Sequence, residues 1–137
     1  MTDSRPIYLT KAEESLRGAE NEFAQSRYNN AANRCYYACF QATVAALHHA
    51  GIAPSGGRSE WGHAFAQAKF VGWLIYQHRL YSTSLRQALG RNLTLRHTAD
   101  YAPDLVTQTQ AAQALQRTQD FLAAILEQVR AHESETT

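Results

Sequence analysis

Tyr28-Asn29-Asn30-Ala31-Ala32-Asn33-Arg34-Cys35-Tyr36-Tyr37-Ala38-Cys39-Phe40 opens a segment whose small and aromatic residues recur with a helical period. Followed to residue 50, its apolar face reads Ala32, Cys35, Tyr36, Cys39, Phe40, Thr43 and Leu47, spacings of one, three and four that draw one stripe along an α-helix. Gly51 stands where a left-handed residue would stop it. A helix over about residues 30–50 is therefore predicted. Cys35 and Cys39, four apart on its apolar face, read as small core residues rather than a redox or metal pair.

Working outward, the rest of the chain repeats the pattern. Thr10-Lys11-Ala12-Glu13 is a capping box, which predicts a first helix from Lys11 carrying Ala12, Leu16, Ala19 and Phe23 inward. After Gly51 the stretch Ala53-Pro54-Ser55-Gly56-Gly57 reads as a loop. Ser59 is placed to cap a third helix bearing Trp61, Phe65, Ala68 and the block from Phe70 to Tyr76, with Gly72 as a bend. A fourth helix is expected over about 82–101. Ala102-Pro103 ends it, because the residue before proline resists the α conformation. A fifth begins between Asp104 and Thr107 and shows Ala111, Leu115, Thr118, Leu122, Ile125 and Val129. No segment alternates like a strand. The reading is all-α: an up-and-down bundle of four to five helices in one domain over 1–137, with its core in about 8–130 and a polar tail at 131–137.

Composition bounds what such a bundle does. At 137 residues the chain is long enough to fold without metals or disulfides. No apolar run approaches the roughly 18 residues of a membrane span, and the polar start MTDSRP does not resemble a signal peptide, so a cytoplasmic location is expected. Net charge is only +1, but it is unevenly spread. Residues 27–99 hold eight basic residues against Glu60 alone, a net +7 flanked by −2 before and −4 after. This middle is either a local anion-binding field or a surface neutralised by the first and last helices.

The fourth helix carries the most chemical information. Counted from Leu85 at 100° per residue, Leu89, Asn92, Leu93 and Arg96 fall at about 40°, −20°, 80° and 20°, so Arg96 lies inside its own apolar stripe. A charge there must snorkel or be paired, and Asp100, one turn on, is the expected partner. His97 lies about 100° round the helix from Arg96. Elsewhere there is no His-Glu-x-x-His, no Cys-x-x-Cys and no phosphate-loop or dinucleotide glycine motif, so no metal and no cofactor are expected. His48 and His49 are adjacent and cannot chelate together; His78 and His132 have no ligand-spaced companion.

Taken together, the tyrosine-rich alanine helix at 28–40, His63 at the start of the third helix and Leu95-Arg96-His97-Thr98-Ala99-Asp100-Tyr101 at the end of the fourth resemble the small HEPN domain proteins over residues 8–130. Among them the chain is most similar to stand-alone members ending this motif in Arg-x-x-Ala-Asp-Tyr. In nuclease-type members the motif runs from arginine through a polar residue to a histidine, two chains dimerise so that both motifs line one cleft, and RNA is cut without a metal. The resemblance implies Arg96 as the arginine, His97 as the polar residue and Tyr101 where the histidine would stand. Tyrosine, with an ordinary pKa near 10, is a poor general base at neutral pH.

The expected catalytic set is thus Arg96, His97 and Tyr101. His63 joins it if the third helix brings the imidazole to the Arg96 end; otherwise His63 faces solvent at a helix N-terminus. Arg96, Asp100 and Arg91 are the expected binding residues. Arg58 and His63 also fit an arginine-x4-histidine spacing, as a decoy or a second site. Tyr28, Tyr36 and Tyr37 are either base-stacking or packing residues. A homodimer, an RNA or nucleotide ligand and a minimal nucleotidyltransferase partner follow from the resemblance, the last making Tyr101 a modification candidate. The alternative is a non-catalytic dimeric adaptor or nucleotide-binding module.

Overall fold

The computed structural model describes residues 7–54 and 61–136, with side chains as far as residue 131. Its elements are α1 (Ile7–Ala24), α2 (Tyr28–His49), α3 (His63–Lys69) running directly into a π-helix (Phe70–Gln77), a single 3-10 turn (Thr83–Leu85), α4 (Ala88–Tyr101) and α5 (Gln108–Thr136). The described residues contain no strand. The expected all-α bundle is what forms. Cross-helix pairs give its topology. α1 runs against α2, with Ser15 bonded to Gln41 and Gly18 beside Arg34. α4 runs against α2, with Asn92 bonded to Cys39 and Asp100 to Asn33. α5 runs along α2, with Thr118 bonded to Cys39 and Val106 to Asn29, so α1, α2, α4 and α5 alternate in direction.

α2 is the central element. Alanines 31, 32, 38, 42, 45 and 46 are all buried, and burial is continuous from Ala42 to Leu47. A helix covered on nearly all sides needs small side chains to let several neighbours approach at once. α1, α3, α4 and α5 each pack against it. The main core joins its Tyr36, Cys39 and Leu47 to Leu9, Phe70, Leu74, Leu89, Phe121 and Ile125. Cys35 and Cys39 are buried free thiols, as expected. Burial pushes Cys35 up to about 11 and Cys39 up to about 12, so both stay protonated and unreactive. Gly51, at φ +83°, ends α2: its N–H donates to His48 O and that of Ile52 to Leu47 O, the paired bonds of a Schellman turn.

The boundaries differ from the expectations in several places, and tertiary packing explains most of them. α1 starts at Ile7 rather than Lys11, because burial of Leu9 makes another turn of helix worth forming; the Thr10 to Glu13 box is then internal. α2 begins two residues early, at Tyr28, whose ring packs on Phe23 across the turn. The third helix does not remain α-helical through Gly72. It widens into the π-helix, with the His78 N–H reaching Trp73 O five residues back, and this register turns Phe70, Leu74 and Ile75 all inward. The fourth helix is broken: Ser82 caps the 3-10 turn through the Ser84 N–H, and α4 proper starts at Ala88, so Leu85 lies outside it. Finally, α5 continues through the expected tail to Thr136, since nothing after Val129 is a glycine or proline that would stop it. The Ser55-Gly56-Gly57 part of the expected loop, Ser59 and Arg58 lie outside the described residues, but α3 starts only at His63 behind Gly62, so Trp61, expected on the third helix, precedes it.

Thr107 and Gln110 form a reciprocal capping box at the start of α5, with the Gln110 N–H donating to Thr107 Oγ1 at 3.1 Å and the Thr107 N–H to Gln110 Oε1 at 2.9 Å. Thr107→Ala is expected to lower stability by about 1 kcal/mol, read as a lower urea midpoint at unchanged slope. The 102–107 connection is also tied down where the Val106 N–H donates to Asn29 Oδ1 at 2.9 Å.

Candidate functional site

Arg96 projects from α4 across α2. Its guanidinium carbon lies 5.0 Å from the ring centre of Tyr36 and 5.3 Å from that of Tyr37, two rings set edge to face at 5.1 Å. Its Nε donates to Asp100 Oδ2 at 3.2 Å, the expected i,i+4 pair. Asp100 in turn accepts from Asn33 Nδ2 at 3.1 and 3.3 Å. The guanidinium is therefore held on one edge by a carboxylate and on one face by two aromatic rings. The burial that would lower the Arg96 pKa is outweighed by the Asp100 bond and the neighbouring phenols of Tyr37 and Tyr101, so its charge is secure. Arg96 thus neither dives into the core nor floats free: its side chain is 20% exposed.

His63, the first residue of α3, comes to the same place. Its Nδ1 lies 3.1 Å from the Tyr36 hydroxyl, and the two rings stack with centres 5.8 Å apart. α3 packs on α2, so His63 reaches the Arg96 end over Tyr36 rather than along α4. Of its two sequence readings, a solvent-facing helix start and a companion of Arg96, the second has the geometry. Partial burial, followed by repulsion from His97 and Arg96, lowers its pKa below the ordinary 6.5. At pH 7 the imidazole is neutral. A lowered histidine favours folding while it stays uncharged, so its contribution is full above about 6.5 and is lost as pH falls toward the folded-state value. In an NMR titration, His63 is expected to protonate below 6.5. In Arg96→Ala the value rises only part of the way back, because burial is the larger cause; no movement at all would separate the two residues.

His97 and Tyr101 lie beside this centre on the exposed side of α4, with ring centres 5.9 Å apart and nearly perpendicular. Tyr101 is 73% exposed at the helix end, and Leu105 just beyond is 77% exposed. Tyr36 is both a core residue and the platform under Arg96, whereas Tyr28 packs on Phe23 and against the cluster of Ala32, Val106 and Ala111. Asn33 is a site residue the sequence reading missed. Its signal was its place three residues before Tyr36 and seven before Phe40, a polar side chain on the stripe. Arg91 does not join Arg96: it faces Arg117 and Gln113 on another side of α4. The basic middle is likewise dispersed, with Arg27 paired to Glu22 and Lys69 over Trp73.

Among the described residues no three histidine, cysteine or acidic side chains cluster as a metal site, and no helix is long and apolar enough to cross a membrane. The arrangement offers a fixed cation, a neutral imidazole, a second imidazole and a phenol at one end of the bundle. That is equipment for holding an anion and moving protons around it. No curated protein matches the chain. The family model of the HEPN domain matches residues 6–129, and it spans the helices that build this end of the molecule, α1 to α5. With nearly the whole chain covered, and with the arginine end of α4 laid on a tyrosine-rich α2, the protein belongs to the HEPN domain family.

Proposed function

We propose that the Arg96 end of the bundle binds RNA phosphate and cuts the chain without a metal, in a HEPN protein of toxin–antitoxin or defence type. The observation that supports this reading is the meeting of His63 with Arg96 across Tyr36. It supplies an imidazole near the motif although its last position is Tyr101. In the proposed reaction, neutral His63 takes the proton from a ribose 2′-hydroxyl as that oxygen attacks the adjacent phosphorus. Arg96 neutralises the charge that builds on the phosphoryl oxygens, and His97, in its protonated form, gives a proton to the departing 5′-oxygen. The products are a 2′,3′-cyclic phosphate and a free 5′-hydroxyl. Asp100 orients Arg96, and Tyr101 donates a hydrogen bond to phosphate.

A homodimer is part of the proposal, because exposed Tyr101 and Leu105 border the site and a second copy would cover them. A minimal nucleotidyltransferase is the proposed partner, and Tyr101 the residue it would modify. The second reading, a non-catalytic adaptor or nucleotide-binding module, is favoured by the tyrosine at the motif's histidine position.

Incubation of a mixed-sequence RNA with the full chain in EDTA separates the two, with product ends identified by mass spectrometry. Cyclic phosphate ends, absent with His63→Gln, are expected. Intact RNA in the presence of a folded dimer would leave the adaptor reading standing.

A further inference from the structure

On another side of α4 lies a second basic centre with a different construction. Arg117 of α5 is about half buried, and its Nε donates to Asn92 Oδ1 at 3.0 Å. Asn92 is itself 1% exposed and fastened through its Nδ2 to Cys35 O, Cys39 Sγ and Thr118 Oγ1. Arg117 is therefore aimed by a buried polar network rather than by a carboxylate. Arg91 shares the same depression, a cavity of about 310 Å³ between α4 and α5 lined also by Gln113, Thr94 and Thr98. No acidic residue lines it. Asp120 lies in the adjoining hollow, which Arg91, Gln113 and Arg117 also border, and there it accepts from Gln116 Nε2 at 2.9 Å rather than pairing with either arginine.

Two guanidinium groups thus face one hollow, and among the described residues neither is ion-paired to a carboxylate. Burial first, and Arg91 second, lower the Arg117 pKa, the mark of a cation short of a counter-charge. Bringing like charges together in a partly desolvated place costs free energy, and an anion of two or more charges bound between them would recover it. The hydrogen-bonding supply agrees: the terminal nitrogens of both arginines and the Gln113 amide are donors, while the Thr94 and Thr98 hydroxyls are spent on the carbonyls of Gly90 and Thr94.

We propose that Arg91, Arg117 and Gln113 form a phosphate-binding site separate from the Arg96 centre, taking either a free phosphate group or a phosphate of a nucleic acid that wraps past α4. The volume admits one or two phosphoryl groups with their water. Arg91 is the exposed clamp, Arg117 the fixed one.

The test is a titration of the isotope-labelled full chain with inorganic pyrophosphate, followed by NMR. Pyrophosphate is expected to shift the Gln113 side-chain amide and the backbone amides of Thr94 and Thr98. Arg91→Gln, an exposed change that spares the Asn92 network, should weaken the affinity about tenfold, while Arg96→Ala leaves those shifts in place. Equal affinity in wild type and Arg91→Gln, or shifts confined to Asn33, Tyr37 and Asp100, would overturn the site. A second arm identifies the source. If RNA backbone fills the hollow, Arg91→Gln lowers the salt slope for a 20-nucleotide RNA by about one unit and leaves a trinucleotide unaffected. If a free phosphate fills it, RNA affinity is the same in both proteins.

Discussion

Arg96→Ala is expected to reduce RNA cleavage by a factor of about 10² to 10³ while costing about 1 kcal/mol or less of stability. The large effect comes from chemistry. A guanidinium already fixed by Asp100 and two tyrosine rings needs no reorganisation when charge develops on the phosphate, and removing such a donor has that scale of consequence. The small effect comes from exposure: the ion pair is partly solvated on both sides, and its net worth is correspondingly low. Arg96→Lys sharpens the test. Lysine keeps the charge but loses the flat fork that lies over the rings and presents two nitrogens together. It should restore less than a tenth of the lost rate. Cleavage kinetics beside urea unfolding of the same samples measure both quantities. A fall in rate matched by a fall in stability would mean that Arg96 only holds α4 onto α2.

The fold was legible because burial in a helical bundle is written as a period. Of the face assigned inward from the sequence, Ala32, Cys35, Tyr36, Cys39, Thr43 and Leu47 are buried, and Phe40 is half-buried against the same core. Where the reading slipped, the cause was packing that no local signal records. Leu9 extends α1 because a core awaits it, and the π-helix forms because Phe70, Leu74 and Ile75 all have somewhere to go. The site was partly legible. A charged residue inside an apolar stripe is conspicuous, so Arg96 and Asp100 could be paired from spacing. His63 could not be placed, because its position depends on how α3 lies across Tyr36. Arg91, named with Arg96 among the expected binding residues, faces elsewhere, because five residues along a helix turn a side chain about 140° away. Asn92 showed the same conspicuous signal as Arg96, a polar residue in the stripe, and its importance emerges only with α5 in place.

That importance can be measured. Asn92→Leu is expected to cost about 3 to 4 kcal/mol, a large share of the 5 to 15 kcal/mol that holds a typical domain together. Leucine fills nearly the same space, so little cavity contributes. The cost arises because the half-buried Arg117 loses its acceptor, Asn92 Oδ1, while the Cys35 carbonyl and Thr118 hydroxyl lose a donor. Thr118 retains its bond to Ala114 O at 2.7 Å, so Arg117 carries most of the loss. A second substitution follows from that reasoning. Arg117→Met in the Asn92→Leu background removes the stranded charge and should recover at least 2 kcal/mol, since a buried charged network is often replaceable by apolar residues but rarely by half of one. The cycle of four proteins, unfolded in urea, gives the coupling directly. If the two changes simply add, the network does not act as a unit, and Arg117 owes its place to something other than Asn92.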